Sequence, residues 1–291
     1  MLAKIINGKE ISSEIREELR LEVSDLKNKG IIPGLGVILV GDDPASKSYV
    51  SAKERACESI GIYSDDNRYS NDISEKELID KIITMNNDPK IDGILVQLPL
   101  PKHINSSNIL LSIDPKKDVD GFHPVNIGKM MIGEESFLPC TPHGIIQLLQ
   151  RCNIKTSGSH VVVIGRSNIV GKPVANLLMQ KGNQANATVT LCHTGTKDLS
   201  FHTKQADIII AASGQPNTLT SDMVKNGVVI IDVGVNRISD RDKKSGYRLV
   251  GDVDFNGLSE IASAITPVPG GVGPMTITML LYNTVMSAKK R

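Results

Sequence analysis

Ser46, Tyr49 and Lys53 stand three and four residues apart, the spacing that puts side chains on one face of a helix. A phenol beside an amine is a proton-handling pair. A lysine partly desolvated in a cleft loses enough pKa to exchange protons near neutral pH, and a neighbouring hydroxyl relays or orients them. Taken alone, the same spacing also fits a solvated lysine and a half-buried tyrosine on an amphipathic helix.

A second chemical signal follows the apolar run VVVIG: GRSNIVGKPVANLL (165–178), a glycine, a polar turn, a second glycine and a helix-like stretch. Backbone N–H groups in such a turn, with the positive end of the following helix, suit a pyrophosphate. The pattern is not GxGxxG, because Ser167 replaces the middle glycine and Gly171 comes one residue late. An ordinary strand-to-helix turn is the plain alternative, and the next strand tips the balance. NAD-selective sites end that strand with Asp or Glu for the ribose hydroxyls, whereas TVTLCHTGTK ends in His193 and Thr194 with Lys197 nearby. No carboxylate stands there to repel a 2′-phosphate, and Arg166 can pair with one. NADP is the cofactor expected.

The elements that must position these residues alternate short apolar runs with helical periodicity, the mark of an α/β chain with mostly parallel strands. Helices are predicted over 9–28, 44–60, 74–87, 142–152 and 274–289, with Asp43 and Pro44 opening the second and Gly61 closing it. Strands are predicted at 35–41 and 62–69 and within 92–101. DPKKDVDGF (114–122) has the charge and turn residues of a linker. From His160 the order strand, helix, strand, short helix, strand, helix, strand is that of a doubly wound sheet, with a surface hairpin at 236–249. At 291 residues two domains fit the usual size prior. The boundary between them is expected near residue 142.

Composition excludes several partners. Lys and Arg number 33 against 32 Asp and Glu, which gives no broad field for nucleic acid or an anionic membrane. Cys57, Cys140, Cys152 and Cys192 are scattered without metal-site spacing, so reduced thiols and no bound metal are expected. The amino terminus lacks a signal-peptide pattern and no apolar run reaches membrane-spanning length, which points to the cytoplasm.

YxxxK also occurs in short-chain dehydrogenases, but there the glycine loop precedes the pair, whereas here Gly165 follows Lys53. A different resemblance covers nearly the whole chain. GDDPASKSYVSAKERACESIGI (41–62), DGILVQLPLP (92–101), KKDVDGFHPVNIG (116–128), PCTPHGI (139–145), GRSNIVGKPVANLL and TPVPGGVGPMTITML (266–280) occur in order. Together they resemble the bifunctional methylenetetrahydrofolate dehydrogenase/methenyltetrahydrofolate cyclohydrolase family. The resemblance implies NADP-dependent oxidation of 5,10-methylenetetrahydrofolate, hydrolysis of the methenyl product to 10-formyltetrahydrofolate and a homodimer. It also implies two α/β domains flanking a cleft, 1–141 with 273–291 and a Rossmann-like 142–272, with the last helix returning to the first.

It also implies roles, residue by residue. Lys53 is the catalytic lysine, Tyr49 the stacking ring, Ser46 the serine one turn earlier and Gln97 the lysine's partner. Asp120 takes the pterin edge, with an exchange of roles with Asp118 left open. Val96, Leu98, Pro99, Pro269, Gly270 and Gly271 complete the folate set. The cofactor set is Gly165, Arg166, Ser167, Ile169, Val170, Gly171, Pro173, His193, Thr194, Ser213, Gly214, Val233, Gly234 and Val235. A dehydrogenase that stops at the methenyl product, and a silent NADP- or folate-binding regulator, are the alternatives. Intact Lys53, Gln97 and Asp120 weigh against both.

Overall fold

The computed structural model describes residues 2–240, 242–243 and 246–291. The chain forms two compact units, one of Ser13–Cys140 with Ile277–Arg291, the other of Thr141–Thr276 with residues up to Ser12.

In the first unit the strand Gly34–Val40 lies between Tyr63–Tyr69 and Gly93–Val96, all parallel. The run GLGVILV is buried along its whole length, as befits a central parallel strand covered on both faces. Ile38 and Val40 pack with Leu78, Ile82 and Met85 of the helix Glu75–Asn87 and with Ile109 and Ile113. The helix Pro44–Ile60 begins as predicted: the Asp43 carboxylate accepts from the Ser46 N–H at 2.8 Å, Pro44 opens the first turn, and Gly61 closes the last at φ 84°. Such a cap contributes about 1 kcal/mol.

Two helices, Ser106–Ser112 and Pro124–Ile132, were not anticipated. Nor is 114–122 a linker. The Ile94 N–H donates to the Lys117 carbonyl, and Asp118 and Val119 are buried within the unit. The chain folds back on Gly121 at φ 78°, where a Cβ would lie 2.6 Å from the Leu138 carbonyl carbon and the Pro139 nitrogen.

The second unit holds a six-stranded parallel sheet in the order Lys4–Ile5, Ala264–Ile265, Val229–Asp232, Ile208–Ala211, His160–Ile164, Thr188–Cys192. The chain leaves His160–Ile164 to add Thr188–Cys192 on one side, then returns to add Ile208–Ala211 on the other. This reversal is the switch point at which doubly wound sheets bind ligands, outside the carboxyl ends of the strands. The Rossmann-like expectation is met, with two differences. Lys4–Ile5, assigned from sequence to the first domain, pairs with Ala264–Ile265 in this sheet. The helix expected before VVIIDVG is a single 3-10 turn, Ser221–Met223; Asn217 at φ 55° and a bridge from Leu219 to Val253 hold that segment in other conformations. The strands Asn236–Ser239 and Tyr247–Val250 form the expected hairpin, whose positions 241, 244 and 245 lie outside the described residues. Among the described residues no helix is long and apolar enough to cross a membrane.

Candidate active site and dinucleotide loops

The helix Pro44–Ile60 and the end of the strand Gly93–Val96 bring the lysine and the glutamine together. Lys53 is only 7% exposed, and its Nζ donates to Gln97 Oε1 at 3.0 Å. The Gln97 amide is oriented by its own Nε2, which donates to the Leu98 carbonyl at 2.7 Å, so its oxygen faces the amine. Lys53 Nζ lies 5.8 Å from the centroid of the Tyr49 ring. Tyr49 is 40% exposed while Ser46, one turn earlier, is buried, so the tyrosine offers a ring to a ligand while the serine lines the packed side. Val96 is buried, Leu98 half-buried and Pro99 exposed at the strand's end.

Burial pushes the Lys53 ammonium below the ordinary lysine range, while the charge of Asp120 pulls it back up. Asp120 shifts the other way: burial raises its carboxyl, and Lys53 and a hydrogen bond with Cys140 lower it. Desolvation therefore favours the neutral form of each group, while the charge of each opposes that shift in the other.

The two acids that sequence left exchangeable have different surroundings. The Asp118 carboxylate accepts from the Phe122 and His123 N–H groups at 3.2 and 2.7 Å and from Asn126 Nδ2 at 2.8 Å. It is a structural acid occupied by its own loop. Asp120 instead shares its surroundings with Lys53. A residue missed from sequence secures that loop: Asn283, on the last helix, donates through Nδ2 to the Val119 carbonyl at 2.8 Å and the Leu138 carbonyl at 3.0 Å. No local signal marks it, because its partners are distant in sequence.

In the second unit the predicted cofactor residues gather at the carboxyl ends of the parallel strands. Gly165 has φ 120°, and a Cβ there would lie 2.1 Å from the Ala212 carbonyl oxygen; one at Gly171 would lie 2.0 Å from the Gly165 carbonyl oxygen. Both glycines are needed for close backbone approach. Ser167 turns out to cap the helix Gly171–Met179: its hydroxyl accepts from the Val170 and Gly171 N–H groups at 3.1 and 3.3 Å, and its carbonyl from Lys172 at 3.1 Å. Arg166 and Ile169 are exposed, Val170 half-buried and Pro173 buried. At the next strand end, His193 Nδ1 accepts from the Gly195 N–H at 3.0 Å and Thr194 is exposed. Ser213 and Gly214 follow Ile208–Ala211, and Val233, Gly234 and Val235 follow Val229–Asp232.

These features fit a dinucleotide: two glycines without room for side chains, a helix start behind them, an arginine free to reach solvent and no acid at the second strand end. The loop Pro269–Gly271 also lies in this unit, where the Lys9 N–H donates to the Gly270 carbonyl at 3.1 Å and a Cβ on Gly8 would lie 1.8 Å from the Gly271 oxygen. It is thus placed in a different unit from Lys53, Gln97 and Asp120.

Comparison with known proteins agrees with both halves. Residues 6–120 match the family model of the tetrahydrofolate dehydrogenase/cyclohydrolase catalytic domain, and residues 139–291 match the NAD(P)-binding domain of the same family. The chain is 59% identical to the bifunctional protein FolD of Syntrophus aciditrophicus over 99% of this chain and 98% of that one. It is similar to the crystal structure of the bifunctional FolD enzyme from Campylobacter jejuni, with a TM-score of 0.94, 53% identity and 99% of each chain covered. The Trypanosoma brucei dehydrogenase-cyclohydrolase, solved in complex with NADP and an inhibitor, matches with a TM-score of 0.94 at 38% identity over 100% of this chain and 98% of that one. The chain belongs to the tetrahydrofolate dehydrogenase/cyclohydrolase family.

Proposed function

We propose that this chain is a bifunctional folate enzyme that oxidises 5,10-methylenetetrahydrofolate to 5,10-methenyltetrahydrofolate with NADP, then hydrolyses that product to 10-formyltetrahydrofolate. The observation that carries the reading is the buried Lys53 amine, hydrogen-bonded to Gln97 and set beside the Tyr49 ring.

Water attack on a cationic methenyl carbon releases a proton, and an ammonium that never loses its own cannot accept it. The desolvation of Lys53 favours its neutral amine, and Gln97 Oε1 holds Nζ in one place through the transfer. Tyr49 packs on the ring system of the substrate, with Val96, Leu98 and Pro99 beside it. Ser46 keeps its place in the helix one turn before the ring. The Asp120 carboxylate takes the paired N–H groups of the pterin edge, and its charge limits how far the Lys53 pKa falls. NADP, when bound, supplies the hydride acceptor for the first step. Gly165, Gly171 and their loop hold its pyrophosphate, Arg166 with His193 and Thr194 its 2′-phosphate, and the loops at Ser213–Gly214 and Val233–Val235 the remainder.

We assign folate work to residues 1–141 with 273–291, apart from the strand Lys4–Ile5, which joins 142–272 in the dinucleotide work. The reading carries with it a homodimer in the cytoplasm, feeding one-carbon units to purine synthesis; sedimentation checks the dimer. The functional test mixes the protein with methylenetetrahydrofolate and either NADP or NAD, following reduced cofactor and 10-formyl product separately. Both should form, faster with NADP. Reduced cofactor without enzymatic formyl product would leave only a dehydrogenase, and neither product would overturn the reading.

A further inference from the structure

Behind the dinucleotide loops lie two buried acids that the chemistry above does not use. Asp252 has no exposed surface and Asp232 is 2% exposed. Asp252 Oδ2 accepts from the Ser213 hydroxyl at 3.0 Å and the Gly214 N–H at 2.8 Å, and its Oδ1 accepts from Asn236 Nδ2 at 2.8 Å. Asp232 Oδ1 accepts from the N–H groups of Gly234 at 3.0 Å and Asp252 at 2.9 Å, and its Oδ2 from Val253 at 3.2 Å.

The packing is reciprocal. A Cβ on Gly234 would lie 2.0 Å from Asp252 Oδ1, and one on Gly251 would lie 1.7 Å from Asp232 Oδ2. Each acid thus sits against a glycine beside the other, and three chain segments close on the pair.

We propose that Asp232 and Asp252 are positioning residues for the dinucleotide, fixing the loops Ser213–Gly214 and Val233–Val235 in the places from which they meet it; this rests on the assignment of those loops to NADP. The named partners are all neutral N–H or O–H donors. A carboxylate accepts in about four directions and donates in none, so it alone meets such a ring of donors, whereas an amide turns an NH₂ against one of them. Buried carboxylates are tolerated only when so satisfied. Burial pushes Asp232 up to about 6, with the charge of Asp252 adding to the rise and the backbone donors opposing it. The loops they hold lie at the carboxyl ends of Ile208–Ala211 and Val229–Asp232, where a doubly wound sheet receives its ligand.

The test compares the wild-type chain with Asp252→Asn and Asn236→Ala, by calorimetric NADP titration and by dehydrogenase kinetics. Asp252→Asn keeps the shape and opposes an NH₂ to Gly214 or Asn236. It should raise both the NADP Kd and the NADP KM at least about tenfold, with kcat at saturating NADP within about twofold, since a lost charge-assisted bond in a buried site has that scale. Asn236→Ala, which deletes one donor and leaves both acids, should move KM the same way by a few-fold and keeps the test alive if the first variant does not fold. An unchanged NADP Kd and KM in these variants, or a fall in kcat with KM unchanged, overturns the proposal. Failure of the wild-type chain to bind NADP would remove the assignment of the loops, and the proposal with it; binding by the wild type with unaltered variants overturns the positioning role alone.

Discussion

The lysine site and the dinucleotide loops solve opposite problems. Around Lys53 the proposed chemistry rests on side chains: an amine, an amide, a ring and a carboxylate, with the amine desolvated enough to change its proton affinity. Around Gly165 the backbone carries the fit, and the decisive residues are those with no side chain. A site that moves protons needs low dielectric and few, exact partners. A site that grips a phosphate-rich molecule needs chain that approaches closely and stays where it is put.

The largest effect is expected at Lys53. Lys53→Ala should reduce methenyl hydrolysis by roughly 10²–10⁴-fold, measured without dinucleotide, while NADP affinity stays at the wild-type value; loss of both together would mean that the two regions do not divide the work. Gly165→Ala is the counterpart. A Cβ at φ 120° within 2.1 Å of a carbonyl oxygen should weaken NADP binding by more than about tenfold and lower stability by about 1–3 kcal/mol, read by NADP titration and thermal unfolding.

Arg166→Ala should lower the ratio of NADP to NAD affinity by about tenfold, the scale of one charged hydrogen bond; an unchanged ratio would remove Arg166 from the 2′-phosphate. Asp120→Asn sharpens the electrostatic half. The Asp120 charge raises the Lys53 pKa, so its removal should lower that pKa further and move the rise of saturated hydrolysis kcat with pH to lower pH. A shift to higher pH would reverse the sign of the account. The smallest effect is that of Asp43→Ala, which removes the cap of the lysine helix and should cost about 1 kcal/mol in chemical unfolding.

What sequence revealed follows the same division. The helix of Lys53 was legible because its signals are local: Asp43 and Pro44 at one end, Gly61 at the other, and the three-and-four spacing between. The buried parallel strands Gly34–Val40 and Ile208–Ala211 were legible as unbroken apolar runs, whereas Tyr63–Tyr69 is polar and gave only a weak signal. The charges of 114–122 suggested a linker, yet Asp118 is buried because His123 and Asn126, further along the chain, satisfy it. Lys4–Ile5 was invisible as a strand, since two residues gain that state only by pairing with Ala264–Ile265. Asn283, Asp232 and Asp252 were missed for one reason: each is bonded to partners distant in the chain, and an acid at a strand's end looks like any turn residue until its donors are in place.

The most direct test of the central claim is an NMR titration of the Lys53 side chain, assigned by comparison with Lys53→Ala. The account predicts an amine that titrates below the ordinary lysine range and moves lower still in Asp120→Asn. A Lys53 that titrates at or above that range would contradict it, because the site would then do nothing to favour the neutral amine that takes the proton of the attacking water.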